Sequence, residues 1–188
     1  MRIISGNFKG KKIIQPLDIK TRPLKDLTKE SIFNLIKHSN KFSVNISSSE
    51  ILDLFSGTGS FGIECLSRGA KHVTFVENYS EVLSILKKNL ANLKSIKNYL
   101  IIEEDVLNNN LNIRITKRKY DIIFLDPPYK ENKFISLINF ILNEKILKND
   151  GIIIIHRHKK QKDIFPSKFK IVEEKKYGIS KIIFGMYS

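Results

Sequence analysis

The amino-acid sequence predicts an α/β domain: a doubly wound, mostly parallel sheet of seven strands, closed by an antiparallel hairpin and preceded by a small β-hairpin. Three observations carry this expectation. From residue 51 onward, short apolar runs of strand length alternate with segments of helical period, the pattern of parallel strands joined by crossover helices. Acids recur at the C-terminal ends of successive runs, the edge at which open α/β sheets bind ligands. The tail breaks the alternation, reading as two strands joined by a short turn, and such strands are antiparallel.

With 188 residues and 41% apolar content, the chain suits one domain with at most a small appendage. The division expected is a basic hairpin and helix over 1–49 and a main α/β domain over 50–188. The opening MRIISGNFKGKK has no apolar h-region before it turns polar, and no run approaches membrane-spanning length, so a cytoplasmic protein is expected. A single cysteine, Cys65, suits a reducing compartment and reads as a small buried hydrophobe. The net charge is +14, unevenly placed. Residues 1–49 carry ten Lys or Arg against three acids and 157–188 carry nine against three, while 50–156 carry fourteen against thirteen. Lysine-rich coding bias would spread charge evenly, so a polyanion bound along the two ends explains the asymmetry better.

In chain order, RIISG and KKIIQ flank Asn7, Phe8, Lys9 and Gly10 as a basic hairpin. Residues 20–38 begin extended before Pro23 and then turn helical, with Leu27, Ile32, Leu35 and Ile36 on one face and Asp26 or Thr28 as N-cap. The polar stretch 40–50 leads into the sheet. Strands are expected at 51–55, 72–77, 99–103, 120–125 and 151–156, with helices at 60–68, 80–93 and 134–147 and Gly69 closing the first helix. Residues 108–119 are too polar to assign. The tail strands are 169–174 and 180–187, joined through 175–179.

Two motifs carry the chemistry. In DLFSGTGSFGIE, over Asp53–Glu64, Gly57, Gly59 and Gly62 have GxGxxG spacing, which lets backbone approach a ligand ahead of a helix N-terminus. A dinucleotide loop is the competing reading, but there glycines come almost directly after the strand, whereas here Asp53, Phe55 and Ser56 intervene. Glu77 ends the next strand, where a carboxylate can accept from ribose hydroxyls, although a solvated strand-end acid looks the same. Asp105 shares that ambiguity. In DIIFLDPPY, a buried strand is stopped by Pro127 and Pro128, which remove two donors and fix φ, so Asp126 and Tyr129 are held at a strand end. An ordinary Pro-Pro loop exit is the alternative. In a doubly wound order the first and fourth strands are neighbours, so the glycine loop and this turn face each other across one crevice.

These residues resemble the Rossmann-like, class I S-adenosylmethionine-dependent methyltransferases: DLFSGTGSFGIE is similar to their cofactor loop and DPPY to the signature of those that methylate exocyclic amines. More closely, MRIISGNFKGKKI, TRPLKDLTKESIFN and KKYGISKIIFGMY resemble the opening hairpin, following segment and closing hairpin of the RsmD family, which methylates guanine N2 in small-subunit (16S) ribosomal RNA. The chain departs from that pattern at Leu24 and Lys25, where small hydroxylated residues are more usual, and at His156–His158, where an acid is common.

The resemblance implies in-line methyl transfer with S-adenosylmethionine as cofactor and no metal. It assigns Asp53, Phe55, Ser56, Gly57 and Gly59 to the methionine part, Glu77 with Asn78 to the ribose, and Asp105 with Val106 to the adenine. Thr21 and Asn34 close over the cofactor. Asp126 and the Pro127 carbonyl accept the amine's N–H bonds, Pro128 stiffens the turn, and Tyr129 stacks on the extruded base. Arg2, Lys9, Lys11, Lys12 and Arg22 contact RNA, within an assembling or assembled small subunit. His156 and His158 share a strand face that could suit a metal, but the sequence offers no third ligand. Rival readings are a DNA adenine or cytosine amino-methyltransferase, for which the chain lacks room for a target-recognition domain, and a protein glutamine methyltransferase, usually with Asn in place of Asp126. A non-catalytic RNA-binding module is the third.

Overall fold

The computed structural model describes residues 1–16, 24–107, 114–129 and 131–188. Helix α1 (Asp26–His38) precedes β1 (Glu50–Leu54), α2 (Ser60–Ser67), β2 (His72–Val76), α3 (Ser80–Ala91), β3 (Tyr99–Ile102) and β4 (Tyr120–Leu125). The chain ends with α4 (Phe134–Asn143), β5 (Leu147–His158), β6 (Phe169–Tyr177) and β7 (Ser180–Tyr187). All seven strands form one sheet in the order β3-β2-β1-β4-β5-β7-β6. The first five are parallel, and β7 pairs antiparallel with both β5 and β6. The order reverses at β1, so β1 and β4 lie side by side, as expected of a doubly wound sheet.

The central strands are apolar without a break because both faces are covered. On β4, Ile122 and Phe124 pack with Ile51, Phe61 and Phe75, while Ile123 and Leu125 pack on the other side with Leu52, Leu54 and the Phe134 and Ile138 of α4. Phe61 of α2 stacks between Phe33 of α1 and Phe124, at ring-centroid distances of 5.3 and 4.1 Å. Ile3, Ile13, Ile32 and Ile36 belong to that same core.

The N-terminal hairpin is slighter than expected. Its two arms share one antiparallel bridge, Arg2 with Lys12, and short contacts such as Ile3 N–H to Lys11 O at 2.9 Å. Other backbone groups of the hairpin turn to α2, and Ile14 N–H turns to Asn89 Oδ1 of α3 at 2.8 Å. Glu64 accepts from the Ile4 and Ser5 N–H groups at 2.7 and 2.9 Å, and Ser67 O accepts from Asn7 N–H at 2.8 Å. Gly6 sits at φ +83°, with Ser67 O only 1.9 Å from where a Cβ would stand, so no larger residue fits this approach. The fully buried Glu64 is answered by Arg68 Nε at 2.8 Å and by Lys29 Nζ at 3.7 Å. Lys29 also donates to Arg2 O at 2.7 Å, and burial lowers its pKa despite Glu64 raising it.

That inward lysine corrects the expected face of α1. Leu27 is 70% exposed, and the buried residues are Thr28, Lys29, Ile32, Phe33 and Ile36. Lys25 is the N-cap, without a side-chain cap, in place of Asp26 or Thr28. Helix α4 stops at Asn143, short of Leu147, because Lys145 turns to φ 52° and Leu147 already pairs with Tyr120. Strand β6 runs on to Tyr177, which pairs with Ser180, so the hairpin turn is only Gly178 and Ile179. Much of the unassigned stretch, 108–113, lies outside the described residues.

Candidate active site

The C-terminal edge of the sheet opens into a cleft of about 830 Å³ at the β1–β4 crevice. Four strand ends feed it: Asp53, Phe55, Ser56 and Gly57 from β1 and its loop, Glu77 and Asn78 after β2, Asp105 and Val106 after β3, and Asp126 to Tyr129 after β4. Parallel strands end on one edge, which is why residues so distant in sequence meet there.

The loop after β1 is held from beneath. Phe55 adopts φ 58°, and Ser56 returns its N–H to Val76 O at 3.0 Å, tying the loop to the neighbouring strand. Gly57 donates its N–H to Glu77 Oε2 at 2.8 Å. The other Glu77 oxygen accepts from Asn78 and Tyr79 N–H at 3.0 and 2.9 Å. A carboxylate offers about four acceptor positions, and three of them are spent on these backbone donors. Gly59 does not line the cleft. At φ +82° it is the N-cap of α2, and a Cβ there would stand 2.4 Å from Leu86.

Asp53 is buried on β1, where Oδ2 accepts the Gly62 N–H at 2.9 Å and Oδ1 has no hydrogen-bond partner among the described residues. Burial pushes its pKa well above the usual carboxylate range; the Gly62 N–H opposes this, and the Asp126 and Glu77 charges add to it. An unpaired buried acceptor lining a cleft fits a cationic ligand group such as an amino-acid ammonium. On the far side, Asp105 Oδ1 accepts from Leu107 N–H at 2.9 Å.

The Asp-Pro-Pro-Tyr turn is fastened by β5. Pro128 O accepts from Arg157 Nη1 at 3.1 Å and from Glu131 N–H at 2.9 Å, whereas among the described residues none donates to the Pro127 carbonyl. Arg157 is fully buried, pairs with Asp163 at 2.9 Å and lies over the Phe134 ring at 4.5 Å. Asp126 Oδ1 meets His156 Nδ1 at 2.9 Å, and His156 Nε2 meets Ser180 Oγ at 2.8 Å. Tyr129 stands edge-on to both His156 and His158.

Sequence reasoning missed Arg157 and the partnership of His156 with Asp126. The one signal was the departure from the family pattern at His156–His158. Asn34 is exposed on α1 and does not line the cleft, whereas Leu24, one of the departures, does. Thr21 and Arg22 lie outside the described residues. Arg2, Lys9, Lys11 and Lys12 are exposed on the hairpin, Lys11 folding over Phe8 and reaching Asn92 O at 3.3 Å. Cys65 is buried, its thiol pKa raised by that burial. Among the described residues no group of three His, Cys, Asp or Glu is placed to hold a metal, and no helix is long and apolar enough to cross a membrane.

A sheet in this order, with its cleft at the crevice between β1 and β4, is the Rossmann-like fold of S-adenosylmethionine-dependent methyltransferases. Comparison with known proteins narrows this. The family model described as Conserved hypothetical protein 95 matches residues 1–186. Ribosomal RNA small subunit methyltransferase D of Haemophilus influenzae is 35% identical over 180 residues, 95% of this chain and 90% of that protein. The solved structure of yhhF from Escherichia coli superposes with a TM-score of 0.80 at 26% identity, covering 100% of this chain and 98% of that one. SMU.776, solved complexed with SAH, shares the fold at a TM-score of 0.61 and 20% identity, covering 85% of this chain and 49% of that one. The chain belongs to the RsmD family of S-adenosylmethionine-dependent methyltransferases.

Proposed function

We propose that this protein methylates the exocyclic N2 amine of a guanine in small-subunit ribosomal RNA. The observation that carries the reading is the Asp126 carboxylate and the Pro127 carbonyl, two acceptors on one rigid turn, facing the glycine loop across the cleft. The name of the Haemophilus influenzae relative supports the substrate class.

S-adenosylmethionine supplies, when bound, an electrophilic methyl group on a sulfonium. Asp53 and the loop from Phe55 to Gly57 would hold its methionine part, Glu77 with Asn78 its ribose, and Asp105 with Val106 its adenine. The chain's remaining task is the amine, whose lone pair is delocalised into the base and therefore poorly nucleophilic. Asp126 and Pro127 O accept its two N–H bonds, which favours a more tetrahedral nitrogen and stabilises positive charge as it develops. Tyr129 stacks on the base once it leaves its helix or loop, a contact worth roughly 1 to 3 kcal/mol. Orientation by the two acceptors and the ring contributes most when nitrogen is held about 3 to 3.5 Å from the reacting carbon. Arg2, Lys9, Lys11 and Lys12, outside the cleft, neutralise phosphates, and Arg22 is assigned the same role.

The test is mass spectrometry of 16S rRNA nucleosides from cells with and without this gene. Loss of one N2-methylguanosine, restored by the purified protein with S-adenosylmethionine, supports the reading. An unchanged modification profile refutes it.

A further inference from the structure

We propose that His156 is a positioning residue for methyl transfer: it locks the Asp126 carboxylate in one rotation, so that a fixed oxygen, Oδ2, is presented to the target amine. This rests on the amine-accepting role given to Asp126 above.

Leu125 pairs with Ile155, so the residues that follow them, Asp126 and His156, emerge side by side at the sheet edge. The antiparallel partner β7 brings Ser180 to the other side of the imidazole. His156 is 4% exposed and Ser180 8%, so little water competes for these bonds. A carboxylate oxygen only accepts; Nδ1 therefore carries the proton and donates to Asp126 Oδ1 at 2.9 Å. On the other side Nε2 stands 2.8 Å from Ser180 Oγ, a hydroxyl that can donate to a bare nitrogen or accept from a protonated one. Both nitrogens are engaged, and the proton on Nδ1 follows from the carboxylate opposite it.

An aspartate's terminal torsion is broad, and an untethered carboxylate samples many rotations. A donor fixed on Oδ1 removes that freedom and leaves Oδ2 for the substrate. Tyr129 leans edge-on against the same imidazole at 6.1 Å and against His158 at 5.1 Å, so acceptor and stacking platform are braced by one strand. In this chain the pair His156 and His158 thus supports the turn, with Nδ1 of His158 accepting the Lys160 N–H at 3.1 Å.

The experiment has two arms. In the protein alone, the nitrogen chemical shifts of the His156 ring, assigned through His156→Asn, are expected to show a proton held on Nδ1. They should move in Asp126→Asn. A ring without a proton on Nδ1, or one averaging between tautomers, overturns the proposal. In the second arm, His156→Leu is expected to lower kcat on the order of 10- to 100-fold, the loss typical of misplaced reacting groups. The dissociation constants for S-adenosylmethionine and RNA should stay within about twofold. His156→Asn, whose amide nitrogen can stand near the Nδ1 position, should recover most of that loss. Unchanged kcat in the leucine variant, or equal loss in both variants, overturns positioning; so does loss of cofactor binding alongside kcat. If the unmutated protein methylates no ribosomal RNA, the function proposed above falls, and the ring tautomer alone decides the role of His156.

Discussion

Replacing Glu77 with glutamine tests the cofactor side of the cleft with a change of a single group. In the structure Oε1 serves Asn78 and Tyr79 N–H, and Oε2 serves Gly57 N–H. Glutamine can keep its oxygen where two backbone donors converge, which puts its NH2 group against the Gly57 N–H. One charge-assisted bond is lost and two donors confront each other. The remaining acceptor position on Oε2, the one available to a ribose hydroxyl, disappears with it. A hydrogen bond to a charged group contributes about 1.5 to 3 kcal/mol, so affinity for S-adenosylmethionine should fall about 10- to 160-fold at 25 °C. Calorimetric titration measures this, with circular dichroism and thermal unfolding to verify that the fold persists. Unchanged affinity in a folded variant would refute both the ribose role and the idea that Glu77 organises the loop for binding.

Three other outcomes follow from the same geometry. Asp126→Ala should abolish methyl transfer while leaving S-adenosylmethionine affinity within a few-fold, because its work is on the amine; equal loss of turnover and of calorimetric binding would mean the residue is misassigned. Asp53, whose pKa is raised by burial, should give up a proton when a cationic group pairs with it. Cofactor binding should therefore release protons and strengthen as pH rises, seen as a buffer-dependent binding enthalpy, and an affinity that falls with rising pH would contradict the pairing. Neutralising Lys9, Lys11 and Lys12 to glutamine leaves the backbone anchors of the hairpin on Glu64 and Ser67 intact. RNA affinity should drop and its salt slope shrink by up to about 0.9 per lost phosphate contact, with cofactor affinity unmoved; an unchanged salt slope would reduce the basic ends to compositional bias.

The sequence by itself determined the strands, the glycine loop and the acids at the sheet edge. Those features are local: an apolar run such as Ile122–Leu125, a Pro-Pro stop at Pro127 and Pro128, or Gly57 at a turn is written in consecutive residues. The neighbourhood of β1 and β4 was an expectation conditional on a doubly wound order of those elements, and the strand pairing bears it out. What only the tertiary structure decided depends on register and burial, which couple residues far apart in the chain. Lys29 carries no mark of being inside until Glu64 meets it from α2, and that meeting rotated the buried face of α1 away from Leu27. Arg157 reads as one more surface cation until Asp163 and Phe134 enclose it. His156 and His158 read as a weak metal pair because two positions on a strand show a shared face but not what stands opposite it. The pairing of Leu125 with Ile155 placed Asp126 there, and with it a hydrogen bond that no spacing within β5 could reveal.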